Sequence, residues 1–199
     1  MKAKPIIIFA SGSGTNTENV VSHFSSSDST HVSYVLTNNA DAGVIEKTAR
    51  LGVPLKVFSR KDFYETDAIL NFLQQQNPSL IVLAGFLWLV PEKIIQAFPK
   101  KIINIHPALL PNFGGKGMFG INVQKKVIES GGKETGISIH YVNEKYDAGD
   151  IIFQEKCSVD INDTPETLTE KIHALENKFF PIVIESLLAG EKIKSLHSR

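Results

Sequence analysis

Ile6-Ile7-Ile8-Phe9-Ala10, followed at once by Ser11-Gly12-Ser13-Gly14-Thr15-Asn16, decides the fold class. A short run that is continuously apolar and rich in β-branched residues suits a strand buried on both faces, as parallel strands covered by helices are. The glycines let the chain turn sharply, and residues 16–24 then read as a helix. One strand, one glycine turn and one helix make the first half of a βα unit.

The same alternation continues outward from this stretch. Residues 32–37 read as a strand and 42–51 as a helix closed by Gly52, with 54–58 as a third strand. Asp62 is placed to cap a helix running to about residue 76, where Pro78 blocks continuation. Residues 80–84 form the next buried strand, 91–98 a short helix and 102–105 a fifth strand. Beyond Pro111 the pattern changes: a helix over 121–130 leads into two alternating runs, 136–142 and 150–159, expected to pair antiparallel. Thr164 as N-cap and Pro165 at the first helical position open a last helix reaching about residue 188. The expected fold is therefore α/β, a doubly wound, mostly parallel Rossmann-like sheet with a C-terminal antiparallel extension. A chain of 199 residues suits a single domain, with a βα half over 1–105, a second half over 106–190 and a polar tail over 191–199.

Composition narrows the partners. Lys+Arg and Asp+Glu are balanced at 21 each, so the net charge is zero and no sequence-wide basic field exists to hold a nucleic acid. Cys157 is the single cysteine, which excludes an internal disulfide and a cysteine-rich metal site. The first apolar run is too short to span a membrane and no cleavage pattern follows it, so a cytoplasmic protein is expected.

Open sheets of this kind bind ligands beyond the carboxyl ends of their strands, which directs attention to three places. At the first strand end, the backbone N–H groups of residues 11–16 and the helix dipole favour an anion. The third glycine of a dinucleotide fingerprint is missing, and Thr37-Asn38-Asn39 offers no acidic side chain to a ribose. The Lys-Ser/Thr pair of a triphosphate loop is missing too, so a phosphate monoester fits best, although the glycines also serve a plain tight turn. Arg60, just past the third strand, is able to clamp such a phosphate or to be an ordinary surface charge. At the fifth strand end, the period of two in Ile102-Ile103-Asn104-Ile105-His106-Pro107 puts Asn104 and His106 on one face. In the loop between the antiparallel runs, Asp147 is able to project toward that strand end or to serve only the turn that Gly149 permits.

Gly12-Ser13-Gly14-Thr15-Asn16, Leu83-Ala84-Gly85-Phe86, Asn104-Ile105-His106-Pro107-Ala108-Leu109-Leu110-Pro111 and Tyr146-Asp147-Ala148-Gly149-Asp150-Ile151-Ile152 together resemble the phosphoribosylglycinamide formyltransferase family, in order and over nearly the whole chain. The Asn-x-His-Pro-x-Leu-Leu-Pro and Asp-x-Gly segments are shared across folate-dependent formyltransferases, and the glycine loop and chain length point to the acceptor. The resemblance implies a formyltransferase fold, transfer of a formyl group from 10-formyltetrahydrofolate to the amine of phosphoribosylglycinamide in purine synthesis, no metal, and a monomer or weak homodimer. It implies Asn104, His106 and Asp147 as catalytic residues, with His140 as a neighbour. Gly12, Ser13, Gly14, Thr15, Asn16 and Arg60 become the substrate-phosphate site, and Glu176 a contact for the ribose or glycinamide. Phe86, Leu87, Trp88, Leu89, Val90, Val142 and Asn143 become the folate wall.

Two departures stand out. Trp88 occupies a position where many relatives have arginine, in a segment about one residue shorter. Residues 112–120, Asn-Phe-Gly-Gly-Lys-Gly-Met-Phe-Gly, replace a Pro-Gly-x-His-x-His pattern common in the family. The competing readings are a formyltransferase acting on an amino sugar nucleotide, which would keep the Asn/His/Asp centre, and a noncatalytic nucleotide-binding module in which the polar residues are incidental.

Overall fold

The computed structural model describes residues 3–191 and residue 193, so most of the expected tail (192 and 194–199) lies outside the described residues. Seven strands form one sheet in the order β3-β2-β1-β4-β5-β6-β7. They are β1 (Lys4–Phe9), β2 (Thr30–Thr37), β3 (Leu55–Val57), β4 (Leu80–Leu83), β5 (Ile102–His106), β6 (Glu134–Tyr141) and β7 (Ile151–Ser158). The helices are α1 (Thr15–Phe24), α2 (Val44–Leu51), α3 (Ala68–Gln76), α4 (Glu92–Ala97), α5 (Ile121–Glu129) and α6 (Pro165–Ala189). β1 pairs in parallel with β2 and β4, and β2 with β3, whereas β6 and β7 run antiparallel. The fold is thus the expected α/β arrangement with an antiparallel end. By compactness the chain divides into two units, Met1–Ile103 and Asn104–Arg199.

In the first unit β1 is the central strand, which explains its sequence: Ile6, Ile7 and Ile8 are fully buried, as a strand with neighbours on both edges and helices on both faces must be. The turn after it depends on Gly14, which has φ 75 and forms the N-cap of α1. A Cβ there would lie 2.6 Å from Val44 Cγ2 and 2.8 Å from Val44 Cα, so α2 comes as close as a glycine allows. The two helices are also tied by Glu18, which pairs with Lys47 at 2.7 Å and with Arg50. At the end of α2, Gly52 takes the left-handed conformation, φ 68, that residue 52 was expected to supply.

The helix expected over 62–76 is broken in two. A π-helical turn, Lys61–Glu65, gives way to extended Thr66, and α3 begins only at Ala68. Asp62 is not the cap it was expected to be: it lies within the short turn, whose N-cap is Arg60, and its carboxylate accepts from the Ser59 N–H at 2.9 Å and the Ser59 hydroxyl at 2.7 Å. The break fits tertiary packing. Phe63 is buried against Phe9, Phe58 and Phe86, with centroids 5.2 to 6.1 Å away, while Ile69 and Leu73 of α3 are buried in their own right. Lys93 donates to the Thr66 carbonyl and to Asp67 at 2.9 Å, supplying partners where the helical ladder stops.

In the second unit, β6 and β7 pair so closely that a Cβ on Gly136 would sit 1.9 Å from the Glu155 carbonyl oxygen. α6 starts as its sequence demands: Thr167 N–H donates to the Thr164 hydroxyl at 3.3 Å, and Thr164 N–H to the Thr167 hydroxyl at 2.9 Å. Leu168 packs with Ala108, Val123 and Val127 in a fully buried cluster.

Gly14→Ala must adopt a left-handed φ and push against α2 backbone, so it is expected to cost about 1–3 kcal/mol. Gly12→Ala, whose Cβ would meet nothing within 4 Å, is expected to cost under about 1 kcal/mol. Urea unfolding midpoints of the two variants check this; equal midpoints contradict the close-approach argument.

Candidate active site

The last residues of β5 and the β6–β7 loop build one cluster in the second unit. Asn104 and His106 project from alternate positions of β5, and His106 is only 3% exposed. Asn104 Nδ2 donates to Asp147 Oδ1 at 3.3 Å and to His140 Nε2 at 3.1 Å. Asp147 Oδ2 accepts from the Gly115 N–H at 2.8 Å and lies 3.5 Å from His106 Nδ1. Asn104, His106, Asp147 and His140, four residues singled out from sequence, are therefore brought together. Asp147 reaches them from a left-handed backbone, φ 52, where an aspartate is one of the few tolerated side chains.

Acceptor-only carbonyls fix the imidazole tautomers. His140 Nδ1 lies 2.8 Å from the Tyr141 carbonyl oxygen and must donate to it, leaving Nε2 as the acceptor for Asn104. His106 Nε2 lies 2.8 Å from the Phe113 carbonyl oxygen and must donate there. A neutral His106 then turns the lone pair of Nδ1 toward the Asp147 carboxylate.

Burial pushes the proton affinity of His106 down, and the neighbouring His140 adds to this, against the opposing pull of Asp147 and the Phe113 carbonyl. Burial acts to raise Asp147, but it is outweighed by His140, by His106 and by the Gly115 N–H, so its carboxyl stays below the usual range. The resting state is an ionised carboxylate beside a neutral imidazole. Two acceptors facing each other across 3.5 Å form a ready place for a proton released by a reacting amine. A second property follows from the same bonds: the cluster is closed on itself. Both Asn104 amide hydrogens and the His106 Nε2–H already have protein acceptors, so an incoming oxyanion must draw at least one donor away.

The remaining candidates fall on three elements. In the first unit, Gly12, Ser13, Gly14, Thr15 and Asn16 form the turn into α1, whose N-terminus has no side-chain cap. Ser11, at the base of this turn, was expected to offer its N–H to an anion; instead that N–H is taken by the protein, and the residue joins three strand ends. Its N–H donates to the Gly85 carbonyl at 3.1 Å, its hydroxyl donates to Asn38 Oδ1 at 2.7 Å, and the same oxygen accepts from Leu87 N–H at 3.0 Å. Phe86 and Val90 are buried, Leu87 is exposed, and the Leu89 carbonyl accepts from the Tyr64 hydroxyl at 2.9 Å. Two backbone groups of the expected folate wall are thus taken by protein partners. Arg60 stacks on Tyr64 and Trp88 of the same unit. In the second unit, Glu176 is buried on α6. Val142 and Asn143 are half-buried, and Asn143 closes its own turn by accepting from Lys145 N–H at 3.0 Å. Sequence reasoning passed over the Ser11 hydroxyl, Tyr64 and the backbone groups of Phe113, Gly115 and Tyr141. The positive φ of Phe113, Gly115, Gly117 and Gly120 was foreshadowed by the glycine density of that loop. Among the described residues, no helix is long and apolar enough to cross a membrane, and no group of three or more His, Cys, Asp and Glu is placed for a metal ion.

The chain belongs to the formyl transferase family, whose sequence profile matches residues 4–184. Its relatives within the family include proteins named phosphoribosylglycinamide formyltransferase. The chain is 39% identical over 201 residues to the chloroplastic enzyme of Arabidopsis thaliana, covering 97% of this chain and 68% of that protein. It is 36% identical to the Bacillus subtilis enzyme, covering 95% of this chain and 99% of that one. The crystal structure of the Anaplasma phagocytophilum enzyme superposes with a TM-score of 0.85 at 35% identity, covering 95% of this chain and 89% of that chain.

Because burial makes His106 harder to protonate in the folded chain, the unfolded chain binds that proton first as pH falls. His106 therefore contributes stability that is complete above the ordinary histidine value of about 6.5 and is lost as pH falls through its lower folded value. Asp147, also lowered, loses its contribution only at more acid pH. In His106→Gln the decline of stability beginning near pH 6 should flatten; a decline identical to that of the wild type in parallel urea titrations contradicts the burial of a neutral imidazole.

Proposed function

We propose that this chain transfers the formyl group of 10-formyltetrahydrofolate to the amine of 5′-phosphoribosylglycinamide, as an enzyme of purine synthesis. The observation that carries the reading is the convergence of Asn104, which bonds to the Asp147 carboxylate, and His106, 3.5 Å from it, in a chain whose bacterial relative of matching length bears the name of that activity. The glycine turn, Gly12 to Asn16, receives the acceptor's phosphate through backbone N–H groups and the α1 dipole, and Arg60 supplies a fixed positive charge. Glu176 meets the ribose or glycinamide. The donor's contacts are assigned to Phe86, Leu87, Trp88, Leu89 and Val90 of the first unit and to Val142 and Asn143 of the second, as the family resemblance implies.

The acceptor's neutral amine attacks the formyl carbon, and the carbonyl oxygen becomes an oxyanion. Asn104 turns one amide hydrogen from His140 or Asp147 to that oxygen, and His106 adds its Nε2–H once the Phe113 carbonyl yields it. Each such donor is worth about 3 kcal/mol in the transition state. The proton leaving the amine enters the space between His106 Nδ1 and Asp147 Oδ2, which neutralises two facing acceptors. Collapse of the tetrahedral species breaks the bond from the formyl carbon to the folate nitrogen, and the stored proton returns to that nitrogen. His140, locked by the Tyr141 carbonyl, keeps the Asn104 amide oriented.

Asn104→Ala, His106→Ala and Asp147→Asn are each expected to lower kcat by about 10²-fold or more, with thermal midpoints much less affected. The measurement is formation of N-formyl product from the two named substrates. Undiminished turnover in all three variants rejects the assignment, and absence of product from the unmodified protein rejects the acceptor or the activity itself.

A further inference from the structure

The guanidinium of Arg60 lies 4.7 Å from the centroid of the Tyr64 ring and 5.8 Å from that of Trp88. Arg60 and Tyr64 are four residues apart on one helical turn, so their side chains share a face. Neither ring is free to swing. The Tyr64 hydroxyl is bonded to the Leu89 carbonyl at 2.9 Å, and Trp88 is braced by Phe58 and Phe63, with centroids 6.0 Å from each, and by Phe86 at 6.4 Å. The turn itself is clamped by the reciprocal bonds of Ser59 and Asp62. A long, exposed arginine would ordinarily lose considerable rotamer entropy when it grips an anion. Here the guanidinium rests against an aromatic pair, Tyr64 and Trp88, whose own centroids are 5.8 Å apart, so the cation is held in place before any anion arrives.

The geometry points to Trp88, with Tyr64, as a positioning residue that holds the Arg60 guanidinium ready for an anionic substrate group. This role rests on the reading of Arg60 as a substrate-anion contact, and it differs from the backbone role given to Trp88 in the folate wall. The anion expected at Arg60 is the phosphate of the acceptor.

Trp88 is the only tryptophan in the sequence, so its fluorescence reports the stacking directly and without catalysis. Arg60→Gln is expected to change the intensity or emission maximum of Trp88 in the free protein, whereas an unchanged spectrum overturns the proposal whatever the enzyme's activity. In steady-state assays Trp88→Leu is expected to raise the KM for phosphoribosylglycinamide about two- to fivefold with little change in kcat, and Trp88→Phe to restore most of that loss. In an Arg60→Ala background, where the KM is already raised, adding Trp88→Leu should have no further effect. A full second loss in the double variant, or a loss confined to kcat, overturns the positioning role. A KM increase confined to 10-formyltetrahydrofolate is what loss of Trp88 from the folate wall alone would give, and it overturns the positioning role. Failure of the unmodified protein to formylate any acceptor would refute the proposed function and leave the fluorescence test standing.

Discussion

The carboxylate of Asp147 is the constraint on which the candidate centre depends. Its two oxygens are shared among the Asn104 amide, the Gly115 N–H and the edges of two imidazoles. To present them, the residue adopts a left-handed backbone, a conformation that costs roughly 1–2 kcal/mol for an L-residue. The surrounding glycines make this possible by allowing close contact. A Cβ on Gly114 would lie 3.1 Å from Asp147 Cβ, and one on Gly149 would lie 1.7 Å from the Tyr141 carbonyl oxygen. That carbonyl is the group that holds His140 in its Nδ1–H form. Backbone proximity, charge placement and tautomer choice are thus one arrangement.

The first unit solves a different problem, the anchoring of flexible strand ends. Ser11 lies where β1 leaves the sheet, and its bonds to Gly85, Asn38 and Leu87 tie the glycine turn to the ends of two neighbouring strands. Below it the rings of Phe9, Phe58, Phe63 and Phe86 contact one another edge-on or tilted. A packed aromatic floor limits motion in the loops above it, since dense interiors move little without a discrete rearrangement. Both loops proposed to carry ligand contacts in this unit are thus held at their bases.

The function proposed for the second unit would require the opposite of rigidity at one point. Every strong donor of the centre is already satisfied within the protein, which keeps a buried polar cluster inexpensive. Chemistry on a carbonyl oxygen requires that one of these bonds be exchanged for a bond to the reacting group. The Phe113 carbonyl is the natural one to yield, because it begins a segment in which Phe113, Gly115, Gly117 and Gly120 all have positive φ. The same segment supplies the Gly115 N–H that anchors Asp147, so its movement is linked to the orientation of the carboxylate.

The apolar run before the glycine turn, the alternation of strands and helices, Gly52 as a helix terminator and the Thr164-Pro165 start of α6 were all legible in the chain, because each is settled by local backbone chemistry and by periodicity. So was the shared face of Asn104 and His106, which needs only the period of a strand. The break between Glu65 and Ala68 was not legible: burial of Phe63 in a cluster assembled from distant residues outweighs the continuous helical pattern. Likewise nothing in the order of residues sets the partner of each imidazole nitrogen, the bonds of Ser11 or the stacking of Arg60. Sequence determined which groups reach the ends of the strands. Tertiary structure decided which of them touch and which protons they carry, because hydrogen bonding, burial and ring contacts depend on ångström distances between segments that the chain holds far apart.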